Sequence, residues 1–478
     1  MSILNNSYLE TDKKIIGEIY TSEDLNKNLR VLCDNYNSRW PGTEDDYNAV
    51  KWMVNRLKSY GIENAHFESF KFPGWQRGEA SLEIISPIRK SFDVISLPLG
   101  VAGEVESKLV FINDGHIDVY EQCKNEIKDS IVMVTSRNPL GMDRFLHRTE
   151  KFMRSILAGA KGWIFMNHYP AYGPPTGGVS PIIPSVGISY EDGSYLTRLL
   201  QKEREVVVKI KTTDKNETMT SYNVVCDIPG NSDDPEYLIS GSHYDGHDIS
   251  QGAMDPASGT SVVLEMAKVL WDSREKVKRK IRLICFGVEE IGLFGSYDYA
   301  NVHSGELDNC RFMLNLDSAG SPGKKGVILH GFPELEPFIK KYEKQMNTDV
   351  PTYQRVSPYS DHWPFFLKSV PCGSGGDPEA VRTRTGRGYG HTKFDTVDKV
   401  GMEDMRRAAS NYARLLFRIA NDDEWAPTRK SPDEISEFIT KQGYDQTVIL
   451  VEKVKEKVKK WENRHPDTED WLSRESQW

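Results

Sequence analysis

Cysteine is scarce in this sequence. Six residues, at positions 33, 123, 226, 285, 310 and 372, are scattered without a Cys-x-x-Cys pair. They read as reduced, mostly buried thiols of an intracellular protein rather than a disulfide framework. Long apolar runs are missing too: no stretch approaches the roughly 18–20 residues a membrane span needs. The start, Met1-Ser2-Ile3-Leu4-Asn5-Asn6, has no basic segment leading into an apolar one. It does not read as a secretory signal, so a cytoplasmic location is expected, and the sequon at Asn216-Glu217-Thr218 is expected to be without consequence. Excess positive charge is also absent. A net charge of −9 leaves no footprint for nucleic acid and no polybasic patch for a membrane. No internal repeat is present.

What is present is a soluble globular composition, 38% hydrophobic and 27% charged, over 478 residues, enough for two or three domains. Residues 1–80 include a helical pattern in which Asp45-Asp46 precede Ala49, Trp52, Met53 and Leu57, with Gly61 ending it. Residues 81–215 change character, with β-rich runs at 108–112, 130–134, 163–166 and 205–210, a Gly/Pro-rich loop at 173–187 and a helix near 191–202. Such a segment is expected to be a β-rich insert. Residues 216–425 alternate strand candidates (236–242, 281–288, 311–316, 326–330) with helix candidates (258–273, 334–346, 402–420). That alternation predicts an α/β fold, a mostly parallel mixed sheet sandwiched by helices. Residues 426–478 predict a C-terminal helical extension, with Val448, Val451, Val454 and Val458 roughly on one face. This face would pack on its own domain or, in the sharper reading, form a homodimer contact.

The chemistry-bearing residues fall at predicted strand ends, the edge at which open α/β sheets bind ligands. His243 follows the strand Tyr237-Leu238-Ile239, and Asp245 two residues on is placed to take its second ring N–H and fix the tautomer. Asp255 precedes a helix and a proline, a bond type able to be cis. Glu289-Glu290 close an apolar strand before a glycine-rich helix start, and Asp317 closes another. His391 lies in Gly388-Tyr389-Gly390-His391-Thr392. Taken singly, each has an ordinary structural reading: a surface histidine, a helix-start carboxylate, a solvated acidic turn. Together, two imidazoles and three carboxylates plus a spare glutamate suit two divalent ions sharing a carboxylate. Zinc fits imidazole best, with cobalt or manganese as alternatives. A free glutamate beside an activated water is what proton transfer requires.

These residues resemble the M28 family of co-catalytic metallopeptidases, through His-x-Asp at 243–245, Asp255, Glu-Glu-x-Gly-Leu-x-Gly-Ser at 289–296, Asn-Leu-Asp at 315–317 and His-Thr-x-x-Asp-Thr at 391–396. The resemblance implies that His243 and Asp317 hold one ion, Glu290 and His391 the other, and that Asp255 bridges them. It implies Glu289 as general base, Asp245 as the residue orienting His243, and a cis Asp255–Pro256 bond. Ser360-Asp361-His362-Trp363-Pro364-Phe365 is similar to a family stretch that places Asp361 near the pocket, with His362 structural. Tyr389 stands one residue further from the histidine than the family's tyrosine often does. Ser38-Arg39-Trp40-Pro41-Gly42-Thr43 is similar to the family's first catalytic segment. Within the insert, Ala158-Gly159-Ala160-Lys161-Gly162-Trp163-Ile164-Phe165 and Ile183-Pro184-Ser185-Val186-Gly187-Ile188-Ser189 resemble a protease-associated (PA) domain. The implied activity is removal of N-terminal residues from peptides. Alternatives are a carboxypeptidase of the glutamate carboxypeptidase II type, for which Arg382, Arg384 and Arg387 would supply the carboxylate-binding cations, a single-zinc glutaminyl cyclase, and a receptor-like relative that has lost the ions. The last is disfavoured because all five ligands and the base are present.

Overall fold

The structure is a computed structural model that describes residues 8–383 and 388–462, with the backbone alone for 382–383 and 455–462. Its first sheet has eight strands in the order His66–Gln76, Lys215–Ile228, Lys280–Phe286, Tyr237–His243, Cys310–Asn315, Cys372–Gly376, Gly326–Leu329 and Thr352–Gln354. The central four run parallel, and antiparallel pairings flank them. Every residue of Tyr237–His243 and Cys310–Asn315 is buried, as parallel strands covered on both faces must be. The helices Asp24–Asn35, Ser258–Trp271 and Met402–Asn421 pack together on this sheet, and Phe294–Val302 packs with His362–Leu367. The first helix, Leu9–Thr21, which no periodicity argument had located, is tied to Met402–Asn421 by a buried two-pronged ion pair, Asp12 to Arg418 at 2.6 and 2.9 Å.

All eight strands of the second sheet come from residues 80–212. Its parallel centre alternates strictly. Ile131, Met133, Ile164 and Met166 enter one apolar cluster, and Val132, Val134, Trp163 and Phe165 another. Successive side chains of a strand point to opposite faces, so each face of this sheet owns a core. The C-terminal region begins with a capping box, Ser431 with Glu434, opening the helix Pro432–Lys441. The following helix, Asp445–Glu462, buries Leu450, Val451 and Val454 against Met153 and Leu157 of the helix Arg148–Leu157. The extension therefore docks on the second-sheet unit. Its apolar stripe is rotated from the expected one, since Val448 is exposed and Leu450 is buried. No helix among the described residues is long and apolar enough to cross a membrane.

One buried carboxyl makes the fold pH-sensitive away from any site. Glu265, fully buried on Ser258–Trp271, has neither oxygen hydrogen-bonded among the described residues. Burial pushes its pKa up to about 7, opposed by Lys268 and reinforced by Asp24 and Glu18. A pKa higher in the folded than in the unfolded chain means that the folded chain binds the extra proton. The associated stability is present at acid pH and lost as pH rises from the ordinary carboxylate range through about 7. Glu265→Gln, neutral at every pH, is expected to gain up to about 3 kcal/mol over the native chain above pH 7. It should gain little near pH 4.5, as read from urea unfolding midpoints at the two values. A gain of equal size at both would refute this account.

Candidate metal centre

The last residue of Tyr237–His243 is His243, fully buried. Its Nδ1 lies 2.9 Å from the Asp245 main-chain carbonyl, which can only accept. That bond places a ring proton on Nδ1 and turns Nε2 toward Asp255 Oδ1 and Asp317 Oδ1, each 3.4 Å away. Asp245 thus orients His243, but through its carbonyl rather than its carboxylate, which stands 3.6 Å from Nδ1. The carboxylate instead accepts from the amides of Glu289 and Glu290, at 3.0 and 3.2 Å, and so pins the acidic pair.

Asp255 sits in a tight turn, Ala253–Ala257, with non-helical φ/ψ and a cis bond to Pro256. The amides of Met254 and Asp255 donate to the Asp395 carboxylate at 2.8 and 3.1 Å. The two oxygens of Asp255 face different histidines: Oδ1 faces His243, and Oδ2 lies 3.6 Å from His391 Nε2. Asp317 is held by Ser360 and Ser318, whose hydroxyls each donate to one of its oxygens at 3.0 Å.

After the strand Lys280–Phe286 the chain reverses through Val288, which takes a left-handed φ of 61°. A β-branched residue rarely adopts that conformation, and such strain concentrates at functional sites. Phe294 and Gly295 close the reversal by donating to the carbonyls of Val288 and Gly287. Glu290, buried, brings Oε2 to 3.0 Å from His391 Nε2 and 2.9 Å from His247 Nε2. Glu289 is partly exposed as a residue although its carboxyl is enclosed, and among the described residues it makes neither of these approaches. Burial pushes its carboxyl well above the usual range. His243 opposes that shift, and Glu290, Asp317 and Asp361 add to it. For Glu290 the same burial is outweighed by His247 and His391, which hold it well below that range. Burial disfavours a charged His243, yet Glu289, Asp245, Asp255 and Asp317 lift its pKa well above the usual histidine value.

His391, itself at φ 61°, is supported from the second-sheet unit. Thr176 donates its amide to the His391 carbonyl at 2.9 Å, and the Thr176 carbonyl accepts from His391 Nδ1 at 3.2 Å. Arg148 donates to the Gly178 carbonyl and brings a guanidinium nitrogen to 3.4 Å from His391 Nδ1. Tyr389 stacks on Tyr172, 5.1 Å between centroids. Asp361 is buried beside them, with its carboxyl raised to about 7 by burial, against His243 and with Asp245 and Asp317. His362 engages Ser357 and Ser374, in keeping with a structural role. Arg384 and Arg387 lie outside the described residues, and of Arg382 only the backbone is described.

Two groups of atoms able to hold a cation result: His243, Asp255 and Asp317, and His247, Glu290 and His391. Donors about 2.0–2.2 Å from a tetrahedral zinc stand roughly 3.3–3.6 Å apart, close to the 3.4 Å and 3.6 Å separations of the Asp255 and Asp317 oxygens from His243 and His391 and wider than the 2.9 Å and 3.0 Å between Glu290 and its two histidines. His243 Nε2 is buried without a hydrogen bond among the described residues, as an atom reserved for a metal would be. Sequence reasoning missed His247 and Asp395. His247 continues the alternation His243-x-Asp245-x-His247, and Asp395 was visible in the last motif without a task.

The chain is similar to known peptidases. Residues 223–416 match the model described as Peptidase family M28. Carboxypeptidase Q of Xenopus laevis is 24% identical over 375 residues, covering 73% of this chain and 80% of that protein. Aminopeptidase YwaD of Bacillus subtilis is 30% identical over 295 residues, 59% of this chain and 62% of that protein. A crystal structure titled as a peptidase M28 precursor from Shewanella amazonensis shares the fold, with a TM-score of 0.76 at 22% identity over 88% of this chain and 98% of that one.

The double amide contact of Asp245 carries a prediction. Asp245→Ala frees the Glu289–Glu290 segment, and apparent cation affinity, measured by competition with a chromophoric chelator, is expected to fall about 10–100-fold. Native affinity in this variant would show that the acidic pair is positioned without it.

Proposed function

We propose, on the likeness of residues 223–416 to Peptidase family M28, that this chain is an aminopeptidase that removes N-terminal residues from peptides with two divalent cations, zinc by preference. The observation that carries the reading is Asp255, whose two carboxylate oxygens face two histidines that belong to different ligand groups. In this proposal His243 and Asp317 hold one cation, Glu290 and His391 the other, and Asp255 bridges. Imidazole donors favour zinc. Bound there, a cation pair polarises the scissile carbonyl and acidifies water.

The chain's own part is proton handling and orientation. Glu289 takes the proton of the attacking water and passes it to the leaving amine. Its raised pKa, caused first by burial, suits a group that must both accept and release a proton near neutral pH. Asp245 and Asp395 hold the backbone that presents Glu289, Glu290 and Asp255. The insert, which we read as PA-like, holds His391 from one side through Thr176. A carboxypeptidase reading keeps the same centre. It is favoured by Arg148, a guanidinium beside His391 able to meet a substrate carboxylate, and by the likeness to carboxypeptidase Q.

Substrate assays separate the two readings. Zinc-loaded protein is expected to cleave aminoacyl-anilides and free-amine peptides but not N-blocked peptides, and hydrolysis confined to N-blocked peptides would establish the carboxypeptidase reading instead. Glu289→Gln is expected to keep its metal content and lose at least about 100-fold in kcat, so a metal-free variant would contradict the division of labour with Glu290. Asp255→Ala is expected to lose metal from both sites; full occupancy of either with activity intact would remove the bridging role.

A further inference from the structure

His247 has no task in the reaction as described, yet it is among the most constrained residues of the centre. It is buried, at 2% exposure. Its Nε2 lies 2.9 Å from Glu290 Oε2, but neither ring nitrogen makes a well-formed hydrogen bond among the described residues. Leaving buried polar groups without partners is costly, so a placement of this kind needs a reason. The ring meets His391 edge-on, 4.2 Å between centroids, and its other neighbour is Trp40, stacked at 5.9 Å. Donor atoms of His247, Glu290 and His391 all lie within 4.8 Å of one another.

The loop that carries His247 is fixed from three sides. Arg39, fully buried, donates to the carbonyls of Tyr244, Gln251 and Gly252. Gly246 donates its amide to the Ser38 carbonyl at 2.8 Å, and a Cβ at Gly246 would come within 2.8 Å of Gly252 Cα. Arg77 grips both oxygens of Asp248 at 2.7 Å. The imidazole is therefore presented by a rigid frame, as a ligand must be.

We propose that His247 is a further ligand of the cation held by Glu290 and His391, which gives that cation three side chains of its own beside Asp255, whereas the cation at His243 has two. The centre is then asymmetric: the Glu290 site binds first and more tightly, and the His243 site keeps more open coordination for substrate. This inference rests on the two-cation reading above.

Metal titration tests it without reference to turnover. Chelator-stripped native chain is expected to take up two zinc ions per chain with unequal Kd values, read by competition with a chromophoric chelator and by elemental analysis. His247→Ala should raise the Kd of one site about 10–100-fold and leave the other near its native value. His247→Gln, which can still reach Glu290 and fill the space beside Trp40, should share the defect. The native chain loaded with Co2+ should show three paramagnetically shifted, solvent-exchangeable imidazole N–H resonances in its proton NMR spectrum, one each from His243, His247 and His391. That last measurement decides the matter if the alanine variant does not fold. Native affinities at both sites in His247→Ala, full rescue by His247→Gln, or only two such shifted resonances in the cobalt-loaded native chain would each overturn the proposal and leave the two-cation reading standing. Fewer than two ions in the native chain would overturn both.

Discussion

Five carboxyl groups, those of Asp255, Glu289, Glu290, Asp317 and Asp361, crowd the C-terminal edge of the first sheet, and their mutual repulsion is the constraint the rest of the structure answers. In a poorly hydrated site such a cluster persists only if positive charge or hydrogen-bond donors are built around it. His243, His247 and His391 supply part of that compensation, and divalent cations suit the remainder. The supporting carboxylates, Asp245 and Asp395, are kept apart from the cluster's task by backbone amides, two for each. Their effect is to fix where the reactive carboxylates point.

Rigidity around the centre comes from segments remote in sequence. Arg39 ties the loop after His243 to the segment behind the helix Asp24–Asn35, donating also to the carbonyls of Leu32 and Asn37. The second-sheet unit reaches the centre through Thr176, and it is in turn braced by the C-terminal helices. Glu150, buried between Arg144 and Arg154, accepts from Thr447, while Tyr444 packs edge-on against Tyr359, next to Ser360. The C-terminal extension thus connects the insert to the segment that orients Asp317.

Three of the four central strands were legible because parallel strands covered on both faces read as short apolar runs, each followed by a candidate site residue, whereas the fourth, Cys372–Gly376, is glycine-rich and half exposed and was not located. The second sheet was legible for a different reason: its strands alternate between two cores and so still read as β-rich. The helix Leu9–Thr21 was not, since its contribution is a contact made across 406 positions, Asp12 with Arg418, and no local pattern announces such a pair. The C-terminal stripe was misread by a fraction of a turn because Leu450 has its partner, Met153, in another unit.

By itself the sequence singled out five candidate ligands, a candidate base and their order; for His243, Glu289, Glu290 and Asp317 the reason is local, since an apolar run fixes the strand and the next polar residue must emerge at its edge. Tertiary structure alone decided which atoms do what. It gave the His243 tautomer to a carbonyl, assigned the Asp245 carboxylate to two amides, and turned the two oxygens of Asp255 toward different histidines. It also brought His247 to Glu290. Those assignments depend on distances of a few ångströms between segments separated by up to more than a hundred residues, and only the packing of Arg39, Trp40 and the Thr176 loop around the sheet edge sets them.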